Sequence, residues 1–333
     1  MILKSNYTAA HDCRTQKAVR KDFHNGIPDT APSLASDAQF AGILRSQEAE
    51  MEQKIRDAAL AIAGRPGIRM VLIAGPSSSG KTTFSQKLSD QLRTLGFYPH
   101  PIATDNYFKD LRDTPKDRNG QYDLESLDAM DVLQFNQDMN ALLQGQTVEL
   151  PSYNFKKGMR EYCGDFLKLG PQDLLVIEGI HCLNDSFTYA LPQESQYRIF
   201  ISCFSAPEQE ARRGISSADN RLLRRITRDA RTRGYSAEAT LAQWPSVCRG
   251  EASNILPFRD RADLCFSSAF GYELSVLKPF ASPLLAGIPE ESPVYPEARR
   301  LLHCLSRIPS RSAESVPEAS LLREFIGGGC YKS

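Results

Sequence analysis

Residues 71–83 read VLIAGPSSSGKTT and decide the fold of this 333-residue chain. Four apolar residues, enough for a short buried strand, run directly into a loop of glycine, proline and three serines. Apolar residues at positions 84, 88, 92 and 95 then recur on one helical face, and Gly96 is placed to cap that helix. The stretch therefore predicts a strand, a glycine loop and a helix that packs on a sheet.

The loop fits G-x-x-x-x-G-K-[ST], the pattern of a phosphate-binding loop, or P-loop. Its glycines let the backbone turn successive N–H groups toward phosphate oxygens, and the dipole of the following helix favours the same anion. Lys81 supplies a positive charge for the β- and γ-phosphates, and the Thr82 hydroxyl can bind Mg²⁺. We expect the nucleotide to contact the whole loop: Gly75, Pro76, Ser77, Ser78, Ser79, Gly80, Lys81, Thr82 and Thr83. A serine–glycine linker is the alternative, but linkers do not lie between a buried strand and an amphipathic helix.

Composition narrows the class of protein. Hydrophobic residues make up 41% of the chain and charged residues 24%, as in ordinary soluble enzymes. Forty basic residues balance 40 acidic ones, which argues against nucleic acid or an anionic membrane as a partner. No apolar run approaches the ~18–20 residues of a membrane span, and the N-terminus lacks the apolar core of a signal peptide. Eight cysteines without a CxxC pair indicate reduced thiols, so we expect a cytoplasmic protein.

Strand and helix patterns alternate along the chain. Candidate strands cover residues 68–74, 101–104, 174–177, 197–204 and 262–267, and candidate helices cover 81–95, 129–143, 220–233 and 237–249. This alternation predicts an α/β fold with a largely parallel sheet.

The two ends of the chain differ from this central part. Residues 1–40 show little periodicity, a helix is predicted over 43–62, and we expect residues 1–63 to form a partly disordered accessory segment. The main domain is expected over 64–333, with a helical tail from about residue 280 that includes a helix at 296–305.

Acidic residues after two of the strands bear on the reaction, because ligands bind at the carboxyl ends of strands in open α/β sheets. Asp105 follows a short strand in PIATDNYF and could accept a hydroxyl proton or hold Mg²⁺. Glu178 ends the apolar strand of DLLVIEGIH and could join Thr82 in binding Mg²⁺. A helix N-cap is the alternative for Asp105, and a buried salt bridge is the alternative for Glu178. No Asn-Lys-x-Asp guanine reader occurs, which weakens assignment as a GTPase.

Residues 219–234, DNRLLRRITRDARTRG, form an amphipathic helix with one arginine-rich face. So many fixed cations repel one another unless an anion or an acidic partner lies opposite. Arginine suits the clamping of phosphate, so we interpret this helix as a phosphate-binding lid. A solvated face and an RNA-binding face are the alternatives.

Several separate motifs now carry a family resemblance. The motifs GPSSSGKTT, TDNYF, YDLESLDAMD, LPSYNF followed by Arg, VIEGI and DNRLLRRITRD occur in the order seen in the uridine kinase/phosphoribulokinase family. The resemblance covers roughly residues 66–270 and is strongest to uridine-kinase-like nucleoside kinases. It implies a P-loop kinase fold with a five-stranded parallel core sheet and an Arg-bearing lid. It also implies transfer of the γ-phosphoryl group of ATP or GTP to a nucleoside 5′-hydroxyl, with Mg²⁺.

The resemblance also implies roles for individual residues. Asp105 matches the catalytic carboxylate, which acts beside Lys81, and Glu178 matches the Mg²⁺-associated acid. The substrate side is matched by Phe108 as the base-stacking aromatic, Asp128 as the ribose-binding acid, and Tyr153 and Arg160; the lid is matched by Arg221, Arg224 and Arg225. From the residues alone, Asp128 could be a helix-start acid and Tyr153 a core residue.

One departure from the family motif concerns the acceptor. Members selective for uridine and cytidine have a His where this chain has Gly158, and an Asp where it has Asn154. A site that lacks a base-reading group loses discrimination, so uridine is the first candidate but not a secure one. A kinase for pantothenate or a sugar phosphate, and an ATP-dependent RNA-binding or regulatory protein, remain as alternatives. Some relatives carry an N-terminal domain that resembles part of threonyl-tRNA synthetase, and residues 1–63 could be a remnant of such a domain. Some relatives form tetramers, so a homo-oligomer is also left open.

Overall fold

The computed structural model describes residues 36–116, 120, 122–204 and 214–331. Residues 1–35 lie outside the described residues, and so does the disorder predicted for that part of the accessory segment. The predicted helix over 43–62 lies within the first helix of the structure, which begins at Asp37.

Five parallel strands form the central sheet, in the order β2-β5-β1-β6-β7. They are β1 (Met70–Ala74), β2 (Tyr98–Ala103), β5 (Asp173–Glu178), β6 (Gln196–Ser202) and β7 (Leu264–Ser267). Strand β1 lies at the centre and is buried along its whole length, which explains its uninterrupted apolar sequence. The predicted α/β fold with a five-stranded parallel sheet is confirmed.

Helices pack against the sheet and against one another. They are α1 (Asp37–Ala63), α2 (Lys81–Thr94), α3 (Val132–Leu143), α4 (Ser217–Thr232), α5 (Ala237–Asn254), α6 (Glu273–Ala286), α7 (Tyr295–Ser306) and the short α8 (Arg323–Ile326). Helix α2 buries Phe84, Leu88 and Leu92 against the sheet, and Gly96 follows it with φ +89°, as a helix-ending glycine does. None of these helices combines the length and the apolar character needed to cross a membrane.

Helix α6 spans the position near residue 280 at which a helical tail was predicted to begin. Helix α6 begins at Glu273 and continues through Pro279 and Pro283. Burial of Leu277, Ala281 and Leu285 stabilises that helix in spite of its two prolines, so tertiary packing overrides the local signal. Residues near the end of the chain also belong to the main core, because they pack in one cluster with α1 and α2.

An antiparallel hairpin of β3 (Val148–Asn154) and β4 (Met159–Leu167) was not predicted as strands. Most of β4 is exposed, so its sequence has no apolar alternation that would reveal a strand. The hairpin matters because it carries the residues assigned to the acceptor side.

Candidate active site

The P-loop adopts the curl that its glycines were expected to allow. Gly80 has φ +87° and Ser78 has φ +60°, a left-handed conformation that serine seldom adopts. A side chain at position 75 would collide with the Ile201 carbonyl, so only glycine fits where β1 enters the loop. The backbone therefore forms a concave turn immediately before α2.

Polar groups of the loop lack partners in the described part of the chain. The hydroxyls of Ser78 and Ser79 are buried there without a hydrogen-bond partner. The Lys81 ammonium folds back, donating to the carbonyls of Gly75 at 2.9 Å and Pro76 at 3.3 Å. A cradle of orphaned hydroxyls beside a helix N-terminus and an ammonium fits the phosphates of a nucleotide.

Thr82 and Glu178 meet between α2 and the end of β5. The Thr82 hydroxyl donates to Glu178 Oε1 at 2.8 Å. Burial raises the pKa of Glu178 to about 7, opposed by the charge of Lys81 and reinforced by the charge of Asp105. A bound cation would stabilise the charged form of this enclosed carboxylate and so lower its pKa.

These oxygens also fit magnesium. Mg²⁺ in kinase sites is held by one or two carboxylates together with substrate phosphates and water. The described residues include no group of three or more His, Cys, Asp or Glu side chains placed to hold a metal ion. Thr82 and Glu178 are the residues that would hold such an ion together with the phosphates.

Asp105 lies at the same edge of the sheet. It belongs to a 3₁₀ turn, Thr104–Tyr107, directly after β2, whose last residue Ala103 pairs with Glu178 of β5. A side chain at Gly179 would collide with Thr104, so this glycine lets the turn approach the end of β5 closely. The N-cap of the turn is Ala103, so Asp105 does not have the N-cap role considered as an alternative.

The three arginines assigned to the lid lie on α4 and are buried against the P-loop. Arg221 Nη1 donates to the Ser77 carbonyl at 3.3 Å, and Arg225 Nη1 donates to Ser77 Oγ at 2.8 Å. Arg224 is fully buried and donates to the Ser268 carbonyl at 2.9 Å.

Each of these arginines pairs with an acidic side chain, and for Arg225 that partner lies on α4 itself. Arg221 pairs with Glu251 at 2.6 Å, Arg225 pairs with Asp229 at 3.2 Å, and Arg224 pairs with Glu273. These carboxylates explain how α4 tolerates its charge density. Arg224, being enclosed, holds α4 to the body of the protein, so the lid role fits Arg221 and Arg225 better.

On the acceptor side, three aromatic rings form a cluster. Phe108 is 5% exposed and lies 5.6 Å from Tyr153, which in turn lies 5.0 Å from Phe155. Phe155 is 59% exposed, so it offers more free surface for stacking than Phe108 does. Phe108 and Tyr153 are thus largely core residues that support Phe155.

The two polar residues assigned to the substrate are placed differently. Arg160 Nη2 pairs with Asp131 at 2.8 Å, and Asp131 also caps α3 through the Gln134 N–H. Asp128 is exposed, and its carbonyl accepts a hydrogen bond from Lys109 at 2.9 Å. The structure therefore shows Asp128 at the surface of a short turn.

Gly158 has no room for the side chain found in the pyrimidine-selective family motif. It has φ +65°, and a Cβ atom there would lie 2.9 Å from Leu111 Cβ. Its carbonyl accepts from the Leu111 N–H at 2.8 Å, which fixes the two segments together. Leu111 thus limits the space available to a base-reading side chain at this position.

Glu125 is an additional acid near the site that the sequence analysis did not single out. Asn254 binds its carbonyl at 2.8 Å, and Oε2 is buried without a hydrogen-bond partner among the described residues. Burial raises its pKa to about 7, opposed by the charges of Arg225 and Lys81. Glu125 lies within the YDLESLDAMD motif of residues 122–131, and that motif was the signal that could have drawn attention to it.

Comparison with known proteins agrees with this geometry. Residues 70–203 match the model of the Phosphoribulokinase / Uridine kinase family. A uridine kinase of Halobacterium salinarum is 31% identical over 195 residues, which cover 58% of this chain and 76% of that protein. A uridine kinase of Ligilactobacillus salivarius is 28% identical over 177 residues, or 53% of this chain and 74% of that protein.

Two solved structures are also similar. A possible uridine kinase from Bacillus stearothermophilus has a TM-score of 0.44 at 17% identity and covers 66% of this chain and 100% of its own. A D-glycerate 3-kinase from Cryptococcus neoformans has a TM-score of 0.32 at 14% identity and covers 80% of this chain and 89% of its own. With its P-loop, its parallel sheet and the sequence relatives above, the chain belongs to the phosphoribulokinase / uridine kinase family of kinases.

Proposed function

We propose that this kinase transfers the γ-phosphoryl group of ATP to the 5′-hydroxyl of a nucleoside, with uridine or cytidine as the first acceptors to consider. The observation that carries the proposal is the meeting of Thr82, Glu178 and the Asp105 turn at one edge of the sheet. The P-loop and the aromatic cluster of the hairpin supply a donor side and an acceptor side.

The chemistry follows from these positions. Loop N–H groups and Lys81 hold the donor phosphates, and Asp105 accepts the proton of the attacking hydroxyl. Arg221 and Arg225 would stabilise charge on the transferred group after exchanging some of their present contacts. Bound Mg²⁺ would neutralise negative charge on the phosphates. Phosphoryl transfer then depends mainly on positioning and electrostatics.

The acceptor is the open part of the proposal. Uridine kinase relatives favour a nucleoside, and exposed Phe155 gives a base a surface on which to stack. The contact between Gly158 and Leu111 favours a second candidate, a kinase for another hydroxyl acceptor such as pantothenate or a sugar phosphate. Both proposals hold equally if the phosphoryl donor is GTP and not ATP.

Localisation and assembly belong to the same proposal. The seven cysteines that the structure describes are all free thiols, which fits the cytoplasm. We propose no nucleic acid or membrane partner, because acidic and basic residues balance. A homo-oligomer is compatible with the exposed aromatic residues of the hairpin, such as Phe166 at 65% exposure.

A panel of acceptors tests the proposal. ADP release would be measured with ATP and Mg²⁺ for uridine, cytidine, adenosine, guanosine, inosine, pantothenate and ribulose 5-phosphate. Asp105→Asn, prepared in parallel, controls for contaminating kinases. Turnover that requires a nucleoside and is lost in the variant supports the proposal. Turnover with only pantothenate or the sugar phosphate moves the assignment to the second candidate.

A further inference from the structure

A segment near the end of the chain, residues 320–329, is built into the protein beside the P-loop; we call it the C-terminal segment. Leu321, Leu322 and Phe325 are buried in the core that α1 and α2 share. Ser320 donates to Glu48 of α1 at 2.5 Å. The segment is thus held in a defined place.

Its one acidic side chain reaches the start of the P-loop helix. Glu324 Oε2 accepts a hydrogen bond from the Thr83 N–H at 3.2 Å, and both residues are buried. The Thr83 N–H is one of the first-turn donors of α2 that have no partner within the helix. P-loops use these donors for the α- and β-phosphates of a nucleotide. The carboxylate therefore satisfies a donor that a nucleotide phosphate would use.

Helix α4 holds the segment from the other side. Arg231 donates to the Glu324 carbonyl at 2.8 Å, and the Arg224 guanidinium lies 4.8 Å from the centre of the Phe325 ring. Because α4 also binds the P-loop through Arg225, the segment fills the gap between the start of α2 and α4. Helix α4 lines this gap with arginine side chains, and the start of α2 lines it with N–H donors. Both kinds of group attract an anion.

We propose that the C-terminal segment is an internal competitor for the nucleotide, with Glu324 occupying a phosphate-binding N–H of the P-loop. The Thr83 N–H cannot donate a full hydrogen bond to the Glu324 carboxylate and to a phosphate at the same time. A carboxylate and a phosphate that both lie next to this N–H also repel each other. Nucleotide binding therefore displaces Glu324 and loosens the segment. The proposal rests on the P-loop as the donor site and is independent of the acceptor.

Binding of ADP with Mg²⁺, measured by calorimetry without acceptor, tests the competition. Glu324→Ala removes both the charge and the hydrogen-bond acceptor, and we expect ADP to bind about tenfold more tightly, equivalent to about 1.4 kcal/mol. Glu324→Gln keeps an acceptor and loses the charge, so its affinity should lie between those of wild type and Glu324→Ala. Glu318→Gln is the matched control, because Glu318 is an exposed carboxylate just before the same segment.

Hydrogen exchange gives an independent readout. In the wild type, ADP should increase amide exchange within residues 320–329 while it protects the P-loop. Thermal unfolding without ligand shows whether each variant is folded. If Glu324→Ala does not fold, the comparison of ADP affinities is made between the wild type and Glu324→Gln.

The opposing outcomes separate the two proposals. Equal or weaker ADP affinity in the folded Glu324 variants overturns the competition, and weaker affinity would mean that Glu324 organises the P-loop for binding. In both cases ADP still binds the wild type, so the proposed donor site stands. If neither the wild type nor the variants bind ADP, the competition and the proposed function both fail.

Discussion

Arg224 of α4 and Glu273 of α6 form an ion pair in which both side chains are fully buried. Asn220 also donates to Glu273, and Arg224 contacts the carbonyl of Ser268. Burial alone would lower the pKa of the Arg224 guanidinium, but the neighbouring Cys203 and the Glu273 carboxylate raise it. The pair ties the arginine helix to the body of the protein next to the P-loop.

Replacing one member of this pair should destabilise the fold. Glu273→Gln leaves the Arg224 charge buried without its partner, and we expect the free energy of unfolding to fall by about 3–5 kcal/mol. Chemical denaturation measures the change. Glu297→Gln is the control, because Glu297 pairs with the half-exposed Arg300 and should lose less than about 1 kcal/mol. Equal losses in the two variants would contradict a structural role for the buried pair.

Lys81→Ala should weaken nucleotide binding while the fold persists. The ammonium contacts only loop carbonyls among the hydrogen bonds described, and it is partly exposed. Loss of a charged contact to phosphate costs about 1.5–3 kcal/mol, or roughly ten- to a hundredfold in affinity. Titration with ATP measures the loss, and Lys54→Ala on the exposed face of α1 is the control. Affinity like that of the wild type would remove Lys81 from the donor site.

Asp105→Asn should separate catalysis from binding. A lost general base lowers turnover by about 10²–10⁴, whereas ATP affinity should stay close to that of the wild type. Single-turnover rates and ATP titrations measure the two effects. Asp113→Asn, in the exposed loop that follows, should retain full turnover. Retained turnover in Asp105→Asn would make Asp105 a structural residue of its turn.

Gly158→Ala should cost more stability than the same change at Gly145. Both glycines have positive φ, +65° and +74°, so each substitution strains the backbone by about 1–2 kcal/mol. At Gly158 the new methyl group also meets Leu111, whereas nothing lies within 4 Å at Gly145. Overpacking adds about 1 kcal/mol or more, measurable by denaturation. Equal losses would show that Leu111 moves aside, and Gly158→His would then become a practical test of pyrimidine selectivity.

His181 should make stability depend on pH. Burial lowers its pKa from 6.5 to about 4, opposed by the Ser126 backbone. Because the folded pKa lies below the unfolded one, the unfolded chain binds more protons in this window, and stability falls as the pH falls. The contribution lost between about pH 7 and about pH 5 is about 2 kcal/mol. The free energy of unfolding of the wild type minus that of His181→Leu should therefore fall by about 2 kcal/mol between about pH 7 and about pH 5; parallel curves would contradict the assignment.

The sequence by itself determined the fold class and the donor side of the site. Strand β1, the P-loop and α2 are contiguous, so the apolar run, the glycines and the 3.6-residue period specify them locally. Asp105 and Glu178 were found because each follows a strand and parallel strands end at one edge of the sheet. Resemblance to a family added the acceptor side, where Asp128 is exposed and Phe108 and Tyr153 are largely buried.

Only the tertiary structure determined which charged side chains contact one another. Glu251, Glu273 and Glu324 lie far along the chain from the groups that they contact, and nothing in their local sequence indicates those contacts. The exposed hairpin lacks apolar alternation, and prolines in α6 mask a helix that burial stabilises. Local patterns specify what neighbouring residues form, whereas the environment of a buried charge depends on long-range packing, which the folded chain alone establishes.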